Sequence, residues 1–420
     1  MDAEYDGAAL AASQDVVVVS VQYRLGVFGW LADDVLRSRD PKGSTGNYGL
    51  LDNIRALRWV HENVAAFGGD PARVTIFGES SGGGSVTALL TIPAAWPYFH
   101  QAITESGTAA AWTYMDLGGA HRNFAALTSK SGCDDAADVV ECLIKVGADK
   151  LNSLITAVPC RDGCTWAPVI DGVYLDGRTL DLAEHGRVRP NTAVISGFNE
   201  DDGAMFVPGW PAVVPSMADG TLKTYFSDRF GKTRSDTLQQ IFKPPRDPVP
   251  NWFSPYFKSA EACETDFSYA CTTQWFASAL SSDRGSRNAT KAFVYRFAEP
   301  TTNGMVLHGD EIWYVFGTLK FSQPPSARQM KAITTTMGYW GNFARTGDPN
   351  GAGLPEWPSW TAEAGPINVI AASSAVERYP RDTYHGCRFF RAAWDHFGGC
   401  MKPHDAPPPA DAAAGKDTFV

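Results

Sequence analysis

Two short runs constrain the fold most. DVVVVSVQY (residues 15–23) and RVTIF (residues 73–77) are β-branched or apolar almost throughout. Runs of this kind suit strands buried on both faces. Between them, NYGLLDNIRALRWVHENVAAF (residues 47–67) places Leu51, Ile54, Leu57, Trp59, Val60 and Val64 at helical spacing, and GGDP (residues 68–71) ends the helix. Further strands are expected at residues 192–197, 291–297 and 366–370, with helices at residues 261–281 and 326–346. Strands alternating with helices predict an α/β fold: a large, mostly parallel central sheet with helices on both faces. Residues 201–249 are rich in Pro, Gly and aromatic residues and read as an elaborated loop. There is no internal repeat. Residues 405–420, within HDAPPPADAAAGKDTFV, are low in complexity and are expected to be a disordered tail, leaving residues 1–404 as one domain.

The chain has 420 residues, 44% of them hydrophobic, enough to bury a large core. Its formal net charge is −10 and it carries no Lys/Arg run. That disfavours nucleic acid and anionic membranes as partners. No apolar run reaches the length of a membrane-spanning helix. The eight cysteines contain no CxxC pair, so zinc-ligand spacing is absent and no metal is expected. An even cysteine number and one sequon, at Asn288, point towards the secretory pathway. The start, MDAEYDGAAL, lacks the charged and apolar regions of a signal peptide.

The second β-branched run leads straight into GESSGGG, and a helix-like segment follows. A serine on such a strand-to-helix corner must adopt a strained backbone. Side chains two positions away would collide with the strand or the helix, and Gly78 and Gly82 answer that need. The bare GxSxG pattern arises readily by chance in a glycine-rich chain. Its context makes Ser80 a candidate nucleophile, with the Ser81 N–H as an oxyanion donor.

A serine nucleophile needs a base, and the base needs an orienting acid. Among the eight histidines, His308 stands apart in NGMVLHGDEIWYVFG, on a glycine-hinged loop before an apolar helix start. For the acid, SGFNEDDGAMF offers Glu200, Asp201 and Asp202 just after an expected strand. Local pattern does not choose among the three, and a plain solvated acidic loop is the alternative.

The ordered blocks VVVVSVQYRLGVFGWL, GNYGLLDNIRALRWVHENVAAFGGDPARVTIFGESSGG, APVIDG, GFNEDDG, HGDEIWYVFG and YWGNFARTGDPNG resemble the type-B carboxylesterase and cholinesterase family of α/β-hydrolases. The resemblance covers nearly the whole chain. It implies an α/β-hydrolase fold and hydrolysis of small-molecule carboxylic esters through an acyl-enzyme, without a cofactor. The family's nucleophile falls on Ser80, its histidine on His308, and its acid on Asp202, which directly precedes the glycine of GFNEDDG. The family more often has Glu there. Asp is one methylene shorter, so either the loop moves in or the bond to imidazole lengthens. The resemblance further implies Ser106 as a support of the acid, Glu79 as a carboxylate lining the pocket, and Trp112 as an acyl-pocket residue. It also implies disulfides Cys133–Cys142 and Cys271–Cys387. Pairing among Cys160, Cys164, Cys263 and Cys400 stays open. A local Cys160–Cys164 bridge would leave Cys263 with Cys400.

The family's other oxyanion donors come from a glycine loop of the HGGG type, and the only GGG here is Gly82–Gly84. The resemblance therefore implies an N-terminally shortened member whose first strands are absent, with poor turnover as written. A second class remains: a non-catalytic adhesion or scaffold relative. The presence of Ser80, His308 and Asp202 together favours the hydrolase. The acyl and alcohol groups of the substrate stay open, as does a homodimer.

Overall fold

The computed structural model describes residues 3–158, 166–245, 253–281, 290–300, 304–379 and 384–394. Among these residues six strands form one sheet in chain order: β1 (Thr75–Glu79), β2 (Gln101–Glu105), β3 (Ala193–Asn199), β4 (Ala292–Phe297), β5 (Pro366–Ile370) and β6 (Ala375–Arg378). The first five are parallel, and β6 turns back antiparallel to β5. Alternation along each strand feeds two apolar layers. Ala102, Val194 and Val294 face one layer, packed under Val86 and Leu90 of the helix Ser81–Thr91 and Phe276 of the helix Cys271–Ser281. Their neighbours Ile103, Ile195 and Phe293 face the other, under Trp340 and Phe343 of the helix Ala327–Thr346. Burial on both faces is why these strands read as nearly continuous apolar runs.

The helix Ala327–Thr346 begins at a capping box. Ser326 accepts from the Gln329 N–H and Gln329 reaches back to the Ser326 N–H. The helix expected at residues 47–67 is Tyr48–Asn63 with a 3-10 turn, Val64–Phe67. No helix among the described residues is long and apolar enough to cross a membrane.

Three expectations are corrected. Residues 15–23 form no strand. Asp15 is left-handed and residues 16–23 carry no regular structure, with Val16 and Val18 against the apolar layer of Leu10, while Val17 and Val19 are 44% and 40% exposed. An extended segment becomes a strand only by pairing, and β1, the sheet's edge among the described residues, pairs with β2 alone. The loop expected at residues 201–249 contains two helices, Asp219–Phe230 and Lys232–Ile241. Tyr225, Phe226 and Phe230 of the first are core residues, so its aromatics mark packing rather than irregularity. The helix expected from residue 261 starts at Pro255, capped by Ser254, and is interrupted by a π-helical turn, Asp266–Ala270.

Disulfides join Cys133 to Cys142 and Cys271 to Cys387. Cys263 is a buried free thiol, so the arrangement pairing it with Cys400 is not formed. Cys160, Cys164, Cys400, the Asn288 sequon and residues 405–420 lie outside the described residues.

Candidate active site

The candidate residues gather at the carboxyl ends of β1, β3 and β4, where parallel sheets of this kind place ligands. Ser80 stands between β1 and the helix Ser81–Thr91 with φ 56° and ψ −122°. A positive φ is costly for a residue with a side chain, and such strain persists only where the surroundings enforce it. Here the Ser80 N–H donates to the Glu105 carbonyl at 2.9 Å, and the Gly84 N–H donates to the Ser80 carbonyl at 3.0 Å. A Cβ on Gly78 would lie 2.7 Å from the Gly82 backbone, and one on Gly107 would lie 2.0 Å from the Ser80 oxygen. Gly82 differs from expectation, since a Cβ there meets nothing within 4 Å. It faces the open side of the turn. The tight glycines inside the helix are Gly83, whose Cβ would sit 2.7 Å from the Glu105 carbonyl, and Gly84, whose Cβ would sit 2.7 Å from Thr113 Cβ.

The three acids after β3 separate by partner. Glu200 pairs with Arg296 at 3.0 Å. Asp201 pairs with Lys258 at 2.6 Å and accepts the Val306 N–H at 2.9 Å. Asp202 is fully buried and its Oδ1 lies 2.5 Å from His308 Nδ1. Its Oδ2 accepts the Asn199 N–H at 2.9 Å. The shorter carboxylate is thus met by a close loop, not by a long bond to imidazole. Gly203 permits that approach, because its Cβ would lie 2.4 Å from the Thr265 nitrogen.

His308 is only 11% exposed in its side chain, and its Nε2 lies 3.2 Å from Glu79 Oε1. Burial alone would lower the imidazole's pKa. The charge and hydrogen bond of Asp202, followed by the charge of Glu79, outweigh burial and raise it. Phe206 meets the His308 ring edge-on at 5.1 Å, and Tyr269, from the π-helical turn, lies at 5.0 Å. Trp112 sits one ring further out, 5.9 Å from Tyr269, its N–H donating to the Ser268 carbonyl at 3.4 Å. Ser106 does not bond Asp202 directly. Its hydroxyl donates to Glu311 Oε1 at 3.4 Å, and Glu311 Oε2 accepts from the Asn199 side chain.

Beneath the site lies a group of carboxyls. Burial, more than any neighbour, pushes Glu79 up to about 7 and Glu105 up to about 8. Glu311 rises well above the usual range, first by burial and then by the charges of Glu79, Glu105 and Asp202. Glu105 Oε1 accepts the Trp340 N–H at 2.9 Å. Sequence reading missed Glu105, Asn199 and Glu311. Glu105 precedes Ser106, while Asn199 and Glu311 lie inside GFNEDDG and HGDEIWYVFG, and that placement was the signal for them. Among the described residues no group of three His, Cys, Asp or Glu side chains could hold a metal ion.

A serine elbow and a buried acid–histidine pair at the carboxyl end of one parallel sheet suit a hydrolase of the α/β class. The carboxylesterase family model matches residues 1–387. Carboxylesterase 1C of Rattus norvegicus is 31% identical over 395 residues, covering 89% of this chain and 68% of its own. Liver carboxylesterase of Sus scrofa is 32% identical over 409 residues, with the same shares. The medium-chain fatty acyl-CoA hydrolase precursor of Anas platyrhynchos is 32% identical over 390 residues, covering 89% and 67%. The chain belongs to the carboxylesterase family and is a carboxylic ester hydrolase.

Proposed function

We propose that hydrolysis proceeds through an acyl-enzyme on Ser80, with His308 as general base and Asp202 as its orienting acid. His308 Nε2 takes the Ser80 proton as Oγ attacks the ester carbonyl. The ring then returns that proton to the departing alcohol. Water repeats the sequence on the acyl-enzyme and releases the carboxylic acid. Asp202 fixes the ring through Nδ1 and favours its protonated form. The Ser81 N–H, free at the start of its helix, donates to the oxyanion. The observation that carries this reading is the 2.5 Å contact between His308 Nδ1 and a fully buried Asp202, with His308 Nε2 3.2 Å from Glu79, the residue before a serine with φ 56°.

Phe206 and Tyr269 make the wall beside His308 apolar and aromatic, which suits an uncharged ester chain. Two disulfides support a place in the secretory pathway. A fluorophosphonate probe, which phosphonylates an activated serine, tests the reading. The expected adduct maps to Ser80 and is absent from Ser80→Ala. An adduct on another serine would reject the nucleophile assignment.

A further inference from the structure

Asn199 closes β3 and is fully buried. Its polar atoms reach both loops that carry the acid and the base. The backbone N–H donates to Asp202 Oδ2 at 2.9 Å. The side-chain amide donates to the carbonyl of Leu307, the residue before His308, at 2.7 Å. The same amide donates to Glu311 Oε2, and Glu311 holds Ser106 at the end of β2 through its other oxygen. The side-chain oxygen of Asn199 accepts no hydrogen bond within the protein. The amide therefore acts purely as a donor, towards acceptors on two separate segments.

We propose that Asn199 is a positioning residue for ester hydrolysis, coupling the Asp202 loop to the His308 loop so that carboxylate and imidazole stay in contact. The proposal rests on the Ser80–His308–Asp202 reading. The acid and the base lie 106 positions apart on different loops. Each loop could otherwise drift, and a displacement of about 1 Å at reacting groups can cost about 10²-fold in rate. Aliphatic replacement by leucine keeps the branching, though not the volume, and leaves the Leu307 carbonyl and Glu311 Oε2 without their donor. A carboxylate keeps the shape but faces the Leu307 carbonyl with a further acceptor. The titratable groups around Glu311, namely Glu105, Glu79 and Asp202, are carboxyls, so none supplies an N–H in place of the lost amide.

The test uses Asn199→Leu and Asn199→Asp in the full chain, with p-nitrophenyl butyrate as substrate and fluorophosphonate titration to count competent sites. For each variant kcat per titrated site is expected to fall about 10²-fold, while KM stays within about threefold. In Asn199→Leu, which adds no charge, the acid limb of the kcat/KM profile is expected to move to lower pH, because imidazole loses the carboxylate that favours its proton. Adding Glu311→Gln to Asn199→Asp is expected to recover part of kcat, since the new amide can donate to the new carboxylate. A merely structural residue would lower the number of titratable sites and leave the acid limb in place. The proposal is overturned if kcat per site stays within about twofold and the limb does not move. It is overturned equally by a rise in KM alone, or by loss of fold in both variants. Ser80→Ala run beside them separates the two ideas. Retained turnover there removes the triad reading, whereas a dead Ser80→Ala with unaffected Asn199 variants removes only this one.

Discussion

His308 Nε2 lies 3.2 Å from Glu79 Oε1, and neither atom makes a hydrogen bond within the protein. The base therefore turns its free nitrogen towards the elbow, beside a carboxyl that favours its protonated form. Hydrolysis needs neutral imidazole, so activity should rise with pH through the raised His308 value. The acid limb is expected above the ordinary imidazole value of about 6.5. Glu79→Gln removes one of the charges that raise it. The limb should then move to lower pH, while kcat/KM above it changes by less than about tenfold. A pH profile of ester hydrolysis for both proteins checks this. A limb moving upward would contradict the assignment of Glu79 as a charge acting on His308.

Glu105 supplies a stability prediction. Its carboxyl is raised from 4.5 to about 8 by burial above all. A raised folded value means that the folded state holds the proton more tightly. The stability contributed is complete below the unfolded value of about 4.5 and is lost as pH rises through the folded one. The native protein should weaken between pH 5 and 9 by on the order of 4 kcal/mol at this residue. Glu105→Gln keeps an oxygen for the Trp340 N–H and removes the titration. Urea midpoints at the two pH values should differ less in the variant than in the native protein. An unchanged difference would mean that Glu105 ionises freely.

The elbow glycines are expected to behave unequally, against the symmetry of the GxSxG pattern. Gly78→Ala drives a methyl to 2.7 Å from the Gly82 backbone, whereas Gly82→Ala meets nothing within 4 Å. The first should lose most activity and on the order of 1–3 kcal/mol of stability. The second should keep its fold within about 0.5 kcal/mol. Thermal unfolding and esterase rates for the pair decide the matter. Equal damage at both positions would mean that the turn is packed differently.

Much of this was legible in the sequence. The strand-to-helix context singled out Ser80, and the glycine hinge set His308 apart. The choice of Asp202 needed the family motif, because Glu200, Asp201 and Asp202 are locally equivalent. Only in three dimensions do Arg296 and Lys258 occupy the first two. β2 went unseen because QAITE has two polar ends around a short apolar centre. Residues 15–23 were read as a strand from their composition, but strand formation depends on a neighbour that composition does not reveal. Asn199 and Glu311 carry no pattern of their own. Their contacts join residues more than a hundred positions apart, one through the Leu307 backbone carbonyl, which any residue would offer, and one between the two side chains.

The most direct measurement is kcat/KM for p-nitrophenyl butyrate in Ser80→Ala, His308→Ala and Asp202→Asn, each folded and monodisperse, against the native chain. Because the three side chains act as a unit, each loss should cost on the order of 10⁴-fold or more, and combining Ser80→Ala with His308→Ala should add little. Native-like turnover in Ser80→Ala, or losses that multiply independently across the pair, would contradict a serine nucleophile served by His308.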